Sequence, residues 1–226
     1  MKREKFVPEF NGVLRSHMVR LPKVIRDCSG ISIFGRRIKS ILFSTDVAMI
    51  KNTDADAVIA VYPFTPQPKI TEAIMIAADI PVFCGVGGGL TSGIRVVNLA
   101  LDAEFKGAIG VVVNQPTPND IVKKIAETID VPLVVTVVSE EEDIEARINS
   151  GASILNVSGG ANTVNIVKKI RSIAPFFPII ATGGPTDETI KETIEAGANA
   201  ITYTPRHSSE IMSDRMDIYR EREEGN

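Results

Sequence analysis

Short apolar runs alternate with amphipathic segments along most of the chain. The apolar runs are five to seven residues long and rich in Val, Ile and Ala, which is typical of strands buried on both faces. The segments between them carry apolar residues three or four positions apart, as at Ile121, Ile125 and Ile129, which predicts helices. We therefore predict eight strand–helix units, with strands at about 39–45, 57–62, 81–85, 108–114, 132–138, 153–157, 178–182 and 200–204.

The predicted units repeat in pairs. Proline opens the third, fifth and seventh strands, and glycine precedes the fourth, sixth and eighth, with a spacing of 44–51 residues at positions 81, 132, 178 and 107, 151, 197. Proline starts a strand without removing a central ladder donor, and glycine ends the preceding helix. Eight units in 226 residues predict an α/β protein with a compact (β/α)8 barrel. An open doubly wound sheet is the alternative, disfavoured because no dinucleotide-binding glycine fingerprint is present.

A basic segment precedes the first strand. We expect residues 1–37 to form an N-terminal helical extension, with one or two helices over Val7–Cys28 broken near Pro22, and residues 38–226 to form the barrel. Residues 1–40 hold ten Lys/Arg against three Asp/Glu. A solvated face is the favoured interpretation, and RNA, an acidic metabolite or an acidic neighbouring subunit stay open as partners. The cations considered are Arg15, Arg20, Lys23, Arg26, Arg36, Arg37 and Lys39.

Composition argues against several classes of protein. The net charge is −3, so the whole chain offers no strong field for nucleic acid. Cys28 and Cys84 are the two cysteines and lack a CxxC spacing. The start MKREKFVPEF has no apolar signal core, and no run of 18 apolar residues occurs. We expect a cytoplasmic protein without a membrane partner.

Glycine-rich turns follow three of the predicted strands, at Gly85–Gly89, Ser158–Gly160 and Thr182–Gly184. In a barrel of this kind the site lies at the carboxyl ends of the strands. Glycine lets the backbone approach a ligand, and amides at a helix start bind anions. We predict a phosphate site, best placed at the turn after the seventh strand. The predicted phosphate-binding residues are Gly88, Gly89, Gly159, Gly160, Thr182, Gly183, Gly184 and Arg206.

The candidate acid–base residues also follow strands. Asp46 ends the first strand and is the predicted general acid or base, with a pKa raised by burial; its alternative role is to cap the helix Val47–Lys51. Glu140 and His207 are the predicted proton-transfer partners, with Tyr203 as a further candidate. The stiff segment Pro63–Pro68 is expected to form one wall of the mouth. The predicted substrate-lining residues are Tyr62, Asn114, Thr136, Asn156 and Ser158.

Other chemistries find no support in the sequence. A Schiff-base aldolase needs a lysine inside the barrel, and no predicted strand ends in lysine. His17 and His207 are the two histidines and show no metal-ligand spacing, so we expect a metal-independent protein with no cofactor. Cys84 lies in an apolar strand and is interpreted as a core residue.

Two segments resemble known families. IPVFCGVGGGLTSG at 80–93 is similar to the third-strand segment of the phosphoribosyl isomerase and cyclase barrels of histidine biosynthesis. FPIIATGG and EAGANAITY are similar to the seventh and eighth strands of those barrels, and to the same region of 2-keto-3-deoxy-6-phosphogluconate aldolases. The resemblance implies membership of the ribulose-phosphate-binding barrel superfamily and glycine turns that bind two phosphates of one long substrate. Asp46 matches the position of a catalytic aspartate.

The chain departs from that pattern at two positions. Thr136 stands where the isomerases carry a second carboxylate, at the end of the fifth strand. Thr204-Pro205 replaces a pair of amide donors after the eighth strand, because proline has no N–H. Arg206 is the expected replacement for the lost donors.

Three hypotheses follow for function. The first is a cofactor-independent isomerase, epimerase or lyase acting on a sugar-phosphate-like substrate. The second is a non-catalytic sensor of a phosphorylated metabolite, since the size and loop pattern resemble glycerol-3-phosphate-responsive antiterminator barrels. The third is a subunit that acts through a complex, with the N-terminal segment as its docking piece. The first two hypotheses imply a small phosphorylated metabolite as the ligand, and we also expect a homo-oligomer.

Overall fold

Eight parallel strands close into a barrel surrounded by helices. The computed structural model describes residues 6, 8–10, 12, 13 and 17–224. Each barrel strand pairs in parallel with the next one along the chain, and the last strand pairs with the first. All eight predicted strands are present, so the barrel prediction is confirmed and the open-sheet alternative is wrong. The strands are β3 (Ser40–Phe43), β4 (Ala57–Ala60), β5 (Val82–Gly87), β6 (Gly110–Val113), β7 (Leu133–Val137), β8 (Ile154–Val157), β9 (Ile179–Thr182) and β10 (Ala200–Tyr203).

Alternation along the strands divides the core into two clusters. Inward residues such as Ile59, Phe83 and Val112 fill the barrel interior. Outward residues such as Val58 and Val111 pack against the helices. Because the residues of both clusters are buried, each strand appears in the sequence as a continuous apolar run and not as an alternation of apolar and polar residues.

The helices follow the strands around the outside. From Ser40 to Glu224 each strand is followed by one α-helix, and the 3-10 helix Gly160–Asn162 precedes the α-helix Thr163–Ile173. Among the described residues, no helix is long and apolar enough to cross a bilayer. The helices are α1 (Val47–Lys51), α2 (Pro68–Ala77), α3 (Ile94–Phe105), α4 (Asn119–Ala126), α5 (Ile144–Asn149), α6 (Thr163–Ile173), α7 (Asp187–Glu195) and α8 (Ser208–Glu224).

A β-hairpin closes the floor of the barrel, at the amino ends of the strands. Its strands are β1 (Ile31–Ile33) and β2 (Arg36–Ile38), paired antiparallel. Their apolar side chains join the interior cluster beneath the first layer of barrel residues. The expected helical extension is therefore wrong for this part of residues 1–37. Three-residue strands carry too short an alternation to be recognised in the sequence.

The segment before the hairpin packs against the outside of the barrel. Over residues 17–38, helical structure is limited to the 3-10 helix Lys23–Asp27, which contacts α7 and buries Ile25. Val19 bridges to Thr53 after the short helix α1. The remaining predicted helical residues include positions 7, 11 and 14–16, which lie outside the described residues, as does Arg15.

Arg26 and Lys39 link this segment to the barrel, and Arg37 forms a contact within the segment. Arg26 forms an ion pair with Asp56 at 3.0 Å. Arg37 donates hydrogen bonds to the Ser29 carbonyl, and Lys39 donates to the Arg26 carbonyl. Arg20, Lys23 and Arg36 are exposed to solvent. An interaction of this segment with RNA or with another subunit stays a prediction.

Asp56 joins the starts of β3 and β4. Its Oδ2 accepts hydrogen bonds from the Lys39 amide, the Ser40 amide and the Ser40 hydroxyl, each at 2.9 Å. Burial opposes ionisation of this carboxyl, but the hydrogen bonds and the Arg26 guanidinium outweigh it and lower the pKa of Asp56. Since Ser40 is fully buried, its polar groups have no access to water if Asp56 is lost.

We predict that Asp56→Ala lowers the free energy of unfolding by about 2–4 kcal/mol, because it leaves buried donors unpaired. Urea unfolding measures the change. The control is Asp120→Ala, which removes an exposed partner of Lys124 at 3.7 Å and is expected to change stability by about 0.5 kcal/mol or less. Equal effects of the two substitutions would contradict the assigned role of Asp56.

Candidate functional site

The barrel mouth is polar but carries no charge on its strands. By the alternation seen deeper in the barrel, Asn114, Thr136, Asn156, Thr182 and Thr202 form the uppermost inward layer. Strands β3–β10 contain no Lys, Arg, His, Asp or Glu. Hydrogen-bonding groups at the base of the mouth are therefore neutral amides and hydroxyls, and any charged group that reaches a ligand comes from a loop.

One amide oxygen in this layer lacks a hydrogen bond. The Asn156 Nδ2 donates to the Thr136 Oγ1 at 3.3 Å. The Asn156 Oδ1 is buried and has no partner. Thr202 donates its hydroxyl to the Ala181 carbonyl at 3.3 Å and is thereby occupied. Asn156 thus offers an acceptor in the barrel interior that the protein itself does not use.

Two adjoining cavities open at the mouth. The first, which we name the glycine cavity, has a volume of about 210 Å³ and is lined by Tyr62, Phe64, Gly87, Gly89, Leu90 and Asn114, among others. The second, the Asp46 cavity, has a volume of about 230 Å³ and is lined by Thr45, Asp46, Tyr62, Thr204, Arg206 and His207, among others. Both share Val61, Tyr62 and Pro63, so the loop after β4 separates them.

Tyr62 fixes this separating loop. Its hydroxyl oxygen accepts a hydrogen bond from the Gln67 amide at 2.9 Å. The bond spans Pro63–Pro66, whose proline rings restrict the backbone further. The loop is a wall of both cavities, as the sequence indicated, and its conformation is tied to Tyr62.

Asp46 is a helix cap that also holds the last helix. Its Oδ1 accepts from the Ala48 amide at 2.9 Å and from the Met49 amide at 3.2 Å. Its Oδ2 accepts from the Ser208 hydroxyl at the start of α8. The hydrogen bond from Ser208 is the largest influence and lowers the pKa of Asp46, with the helix amides acting in the same direction. The expected upward shift is wrong, because partial burial is outweighed by these donors.

His207 and Arg206 lie beside Asp46 on the loop before α8. His207 is exposed and lines the same cavity as Asp46. Arg206 forms ion pairs with Asp214 at 2.8 Å and Glu210 at 3.7 Å. The structure therefore brings Asp46 and His207 to one cavity, while the Arg206 guanidinium pairs with two carboxylates of α8.

Glu140 is directed to another part of the mouth. Its Oε1 accepts a hydrogen bond from the Asn162 Nδ2 at 2.6 Å, and its carbonyl accepts from the Lys169 ammonium. It lines neither the glycine cavity nor the Asp46 cavity. Its role as proton-transfer partner stays a prediction without a geometric link to Asp46.

Close packing explains why both Gly183 and Gly184 in the turn after β9 are glycines. A Cβ on Gly183 would lie 2.7 Å from the Ile190 Cγ1 and 2.8 Å from the Ile201 Cγ2. A Cβ on Gly184 would lie 2.6 Å from the Thr189 Oγ1. Helix α7 and strand β10 thus approach this turn too closely for any side chain, with or without a ligand.

The start of α7 is also unfavourable for an anion. Thr186 and Thr189 form a reciprocal capping box that uses the amides of these two residues. Asp187 and Glu188 occupy the first turn, where their carboxylates already interact with the helix dipole. A phosphate near Gly183 would meet two negative charges.

The turn after β8 is partly closed. A Cβ on Gly159 would lie 2.3 Å from the Ile166 Cδ1, and the Gly159 amide donates to the Thr163 hydroxyl at 3.1 Å. Gly160 is open to solvent with a φ of 58°. Ser158 is exposed, and its amide is used by the Val137 carbonyl at 2.9 Å.

The turn after β5 is open at Gly89 but not at Gly88, where a Cβ would clash with the Thr117 hydroxyl. The Gly88 amide donates a hydrogen bond to the Thr91 carbonyl at 2.9 Å, but there is open space around Gly89. Helix α3 follows Gly93, which provides no capping side chain, and its first turn contains no acidic residue. Arg95 stands in that turn and is exposed. Three features that favour anion binding therefore occur together here: the backbone amides at the helix start, the positive end of the helix dipole and the Arg95 guanidinium.

Three contributors were missed at the sequence level. The hydrogen bond from Ser208 to Asp46 joins residues 162 positions apart, so no local pattern signals it. Leu90 and Arg95 follow the glycine run directly, so the run itself was a usable signal for both.

Cys84 and Cys28 take no part in the mouth. Cys84 faces outward, 3.7 Å from the Met75 sulfur, and burial raises the pKa of its thiol to about 12. Burial likewise raises the pKa of the Cys28 thiol to about 11. Both are therefore protonated core residues at neutral pH.

The donor set for a metal or a Schiff base is limited. The described residues contain no group of three or more His, Cys, Asp and Glu side chains that could hold a metal ion. A Schiff base needs a lysine amine, and none of the strands β3–β10 contains a lysine. No strand residue can therefore form an imine with a ligand inside the barrel.

No protein-family model matches the chain. A curated relative, 4-hydroxy-tetrahydrodipicolinate synthase of Methanothrix thermoacetophila, is 22% identical over 199 residues, which cover 80% of this chain and 67% of the relative. This identity leaves the reaction of the present chain open.

Solved structures share the barrel. A phosphonopyruvate hydrolase in complex with oxalate and Mg²⁺ has a TM-score of 0.64 at 13% identity, covering 86% of each chain. A 2,3-dimethylmalate lyase of the PEP mutase/isocitrate lyase superfamily has a TM-score of 0.62 at 11% identity, covering 90% of this chain and 86% of the lyase. The chain thus has the barrel fold found in lyases, hydrolases and aldolases. The resemblance to ribulose-phosphate-binding barrels stays a prediction.

We predict that Asp46→Asn keeps the helix cap but removes part of the acid sensitivity of folding. Because the folded-state pKa of Asp46 is lowered, its stabilisation is present above the unfolded pKa of about 3.9 and is lost as pH falls through the folded value. Urea unfolding of the wild type and of Asp46→Asn at pH 7 and pH 3 tests this. The wild type should lose more stability between the two pH values than the variant. Equal losses would contradict the assignment.

Proposed function

We propose that this barrel binds a small phosphorylated metabolite across the glycine cavity and the Asp46 cavity, and acts on it as a cofactor-independent lyase or isomerase. The observation that carries the proposal is the uncapped start of α3 beside the Gly88-Gly89 turn. The two cavities meet at Tyr62, so one ligand can extend from the first into the second.

The phosphate end is assigned to the turn after β5. Backbone amides at a helix start bind phosphate, and the dipole of a 12-residue helix favours the negative charge. Arg95 adds a mobile cation without an acidic neighbour in the same turn. The start of α7 has the opposite character, since Asp187 and Glu188 repel an anion.

The reactive end is assigned to Asp46 and His207. The lowered pKa keeps Asp46 ionised at neutral pH, so it accepts a hydrogen bond from a ligand hydroxyl or orients a cationic group. His207 lines the same cavity as Asp46, and histidine is the residue type that most often transfers protons in catalysis. Lyase and hydrolase relatives with this fold support the reaction class as an analogy of fold alone.

A non-catalytic sensor is the second candidate. It is favoured by the absence of any Lys, Arg, His, Asp or Glu from strands β3–β10. Neutral amides and hydroxyls recognise a ligand by hydrogen bonds but transfer no proton at neutral pH. On this hypothesis the mouth binds the metabolite and a loop or helix such as α8 reports the binding.

We predict that ribose 5-phosphate, but not ribose, raises the Tm of the protein, because a ligand bound only to the folded state stabilises it by mass action. At a hundredfold excess over Kd the stabilisation is about 2.7 kcal/mol, or about 5–10 °C. Arg95→Ala should weaken the shift. Arg220→Ala, an exposed arginine on α8, is the matched control and should leave it unchanged. An equal shift with ribose, or none with either compound, would overturn the phosphate assignment.

Exchange of a carbon-bound hydrogen of the ligand with solvent deuterium distinguishes a catalyst from a sensor. A lyase or isomerase that abstracts a proton from carbon incorporates deuterium into the bound sugar phosphate in D₂O, which NMR detects. His207→Gln should slow this incorporation about 100-fold or more while the thermal shift persists. Binding without incorporation by the wild type would favour the sensor.

A further inference from the structure

The glycine cavity has two walls of different chemistry. One wall is the loop after β4, with the rings of Tyr62, Pro63, Phe64 and Pro66. The other is the glycine run, where Gly85, Gly87 and Gly89 present backbone without side chains. Rings on one side and bare peptide planes on the other favour a flat ligand group, because both surfaces allow close stacking.

The rim of this cavity exposes large apolar side chains. Phe64 is 72% exposed and Leu90 is 90% exposed, although both line the cavity. The aromatic Phe64 and the aliphatic Leu90 come from the two different walls. A planar group lying between them removes apolar surface from water on both sides at once.

Asn114 supplies the polar contact at this cavity. Its backbone is fixed, since its amide donates to the Gly87 carbonyl at 2.9 Å and its carbonyl accepts from the Thr117 amide at 3.1 Å. Its side-chain amide has no hydrogen bond to any described residue, and its Nδ2 lies 4.0 Å from the position of a Cβ on Gly89. An unused carboxamide on a fixed backbone offers a donor and an acceptor side by side.

We propose that the glycine cavity binds a planar heteroaromatic ring of the nucleobase type, which carries a hydrogen-bond donor and acceptor on one edge for Asn114. No charged side chain lines the cavity, so the ring is neutral. The volume of about 210 Å³ equals that of about seven water molecules at about 30 Å³ each, which suits one ring system.

This inference rests on the proposed function and specifies its ligand. In a nucleotide the sugar joins the ring to the phosphate. The sugar therefore lies at the rim of the cavity beside Tyr62, which also lines the Asp46 cavity, with the ring inside the glycine cavity and the phosphate toward Gly89 and Arg95. The metabolite is then a phosphorylated nucleoside or a compound with the same three parts. A sugar phosphate alone fills only the outer portion of the site.

The test compares ligands that differ by the ring. Calorimetric titration measures Kd for ribose 5-phosphate and for AMP, GMP, CMP and UMP. We expect at least one nucleotide to bind about tenfold tighter than ribose 5-phosphate, as stacking on aromatic side chains provides. Asn114→Leu and Phe64→Ala should each reduce that difference about fivefold or more. Asn149→Leu, at an exposed position on α5, is the control and should leave it unchanged.

The outcomes separate this inference from the proposed function. Equal affinity for all four nucleotides and ribose 5-phosphate overturns the ring site while the phosphate site stands. Tighter nucleotide binding that survives both Asn114→Leu and Phe64→Ala also overturns it, because the ring then binds elsewhere. Failure of all five compounds to bind overturns both. Circular dichroism of each variant shows that a lost difference does not reflect lost folding.

Discussion

The closure of the barrel is the constraint on which the rest of the structure depends. Pairing β10 with β3 removes both sheet edges and commits every inward side chain to an enclosed space. An isolated charge there would lose its hydration, so the interior is filled by residues such as Ile41, Phe83 and Val134. Charged chemistry is confined to loops as a result. The polar layer at the mouth, with Asn156 and Thr136, marks the limit of what the strands contribute.

The two ends of the barrel are treated differently. The floor is sealed by the hairpin and fixed by Asp56, whose carboxylate accepts hydrogen bonds from the start of β3 and from Arg26. The mouth is left open, and its loops are held by single contacts such as the Tyr62 to Gln67 bond and the Ser208 to Asp46 bond.

The strand positions were predictable because buried parallel strands carry a strong apolar signal and are bounded by proline or glycine. The hairpin was not, since three-residue strands give almost no period. The position of the two cavities at the carboxyl ends of the strands was predictable, but glycine was an ambiguous signal for what binds there. Gly183 is required by Ile190 and Ile201, whereas Gly89 is open, and this difference depends on which helix packs on each turn. The role of Asp46 likewise depended on Ser208, a distant residue that local sequence cannot identify.

The central claim is that an anionic group binds at the turn after β5 and the start of α3. The most direct measurement is a ¹H–¹⁵N NMR titration of the full chain with ribose 5-phosphate, followed at assigned backbone amides. The account predicts saturable shifts at Gly89, Ile94 and Arg95, with little change at Gly183 and Gly184. Saturable shifts confined to Gly183 and Gly184, or no saturable shift at any of these amides, would contradict it.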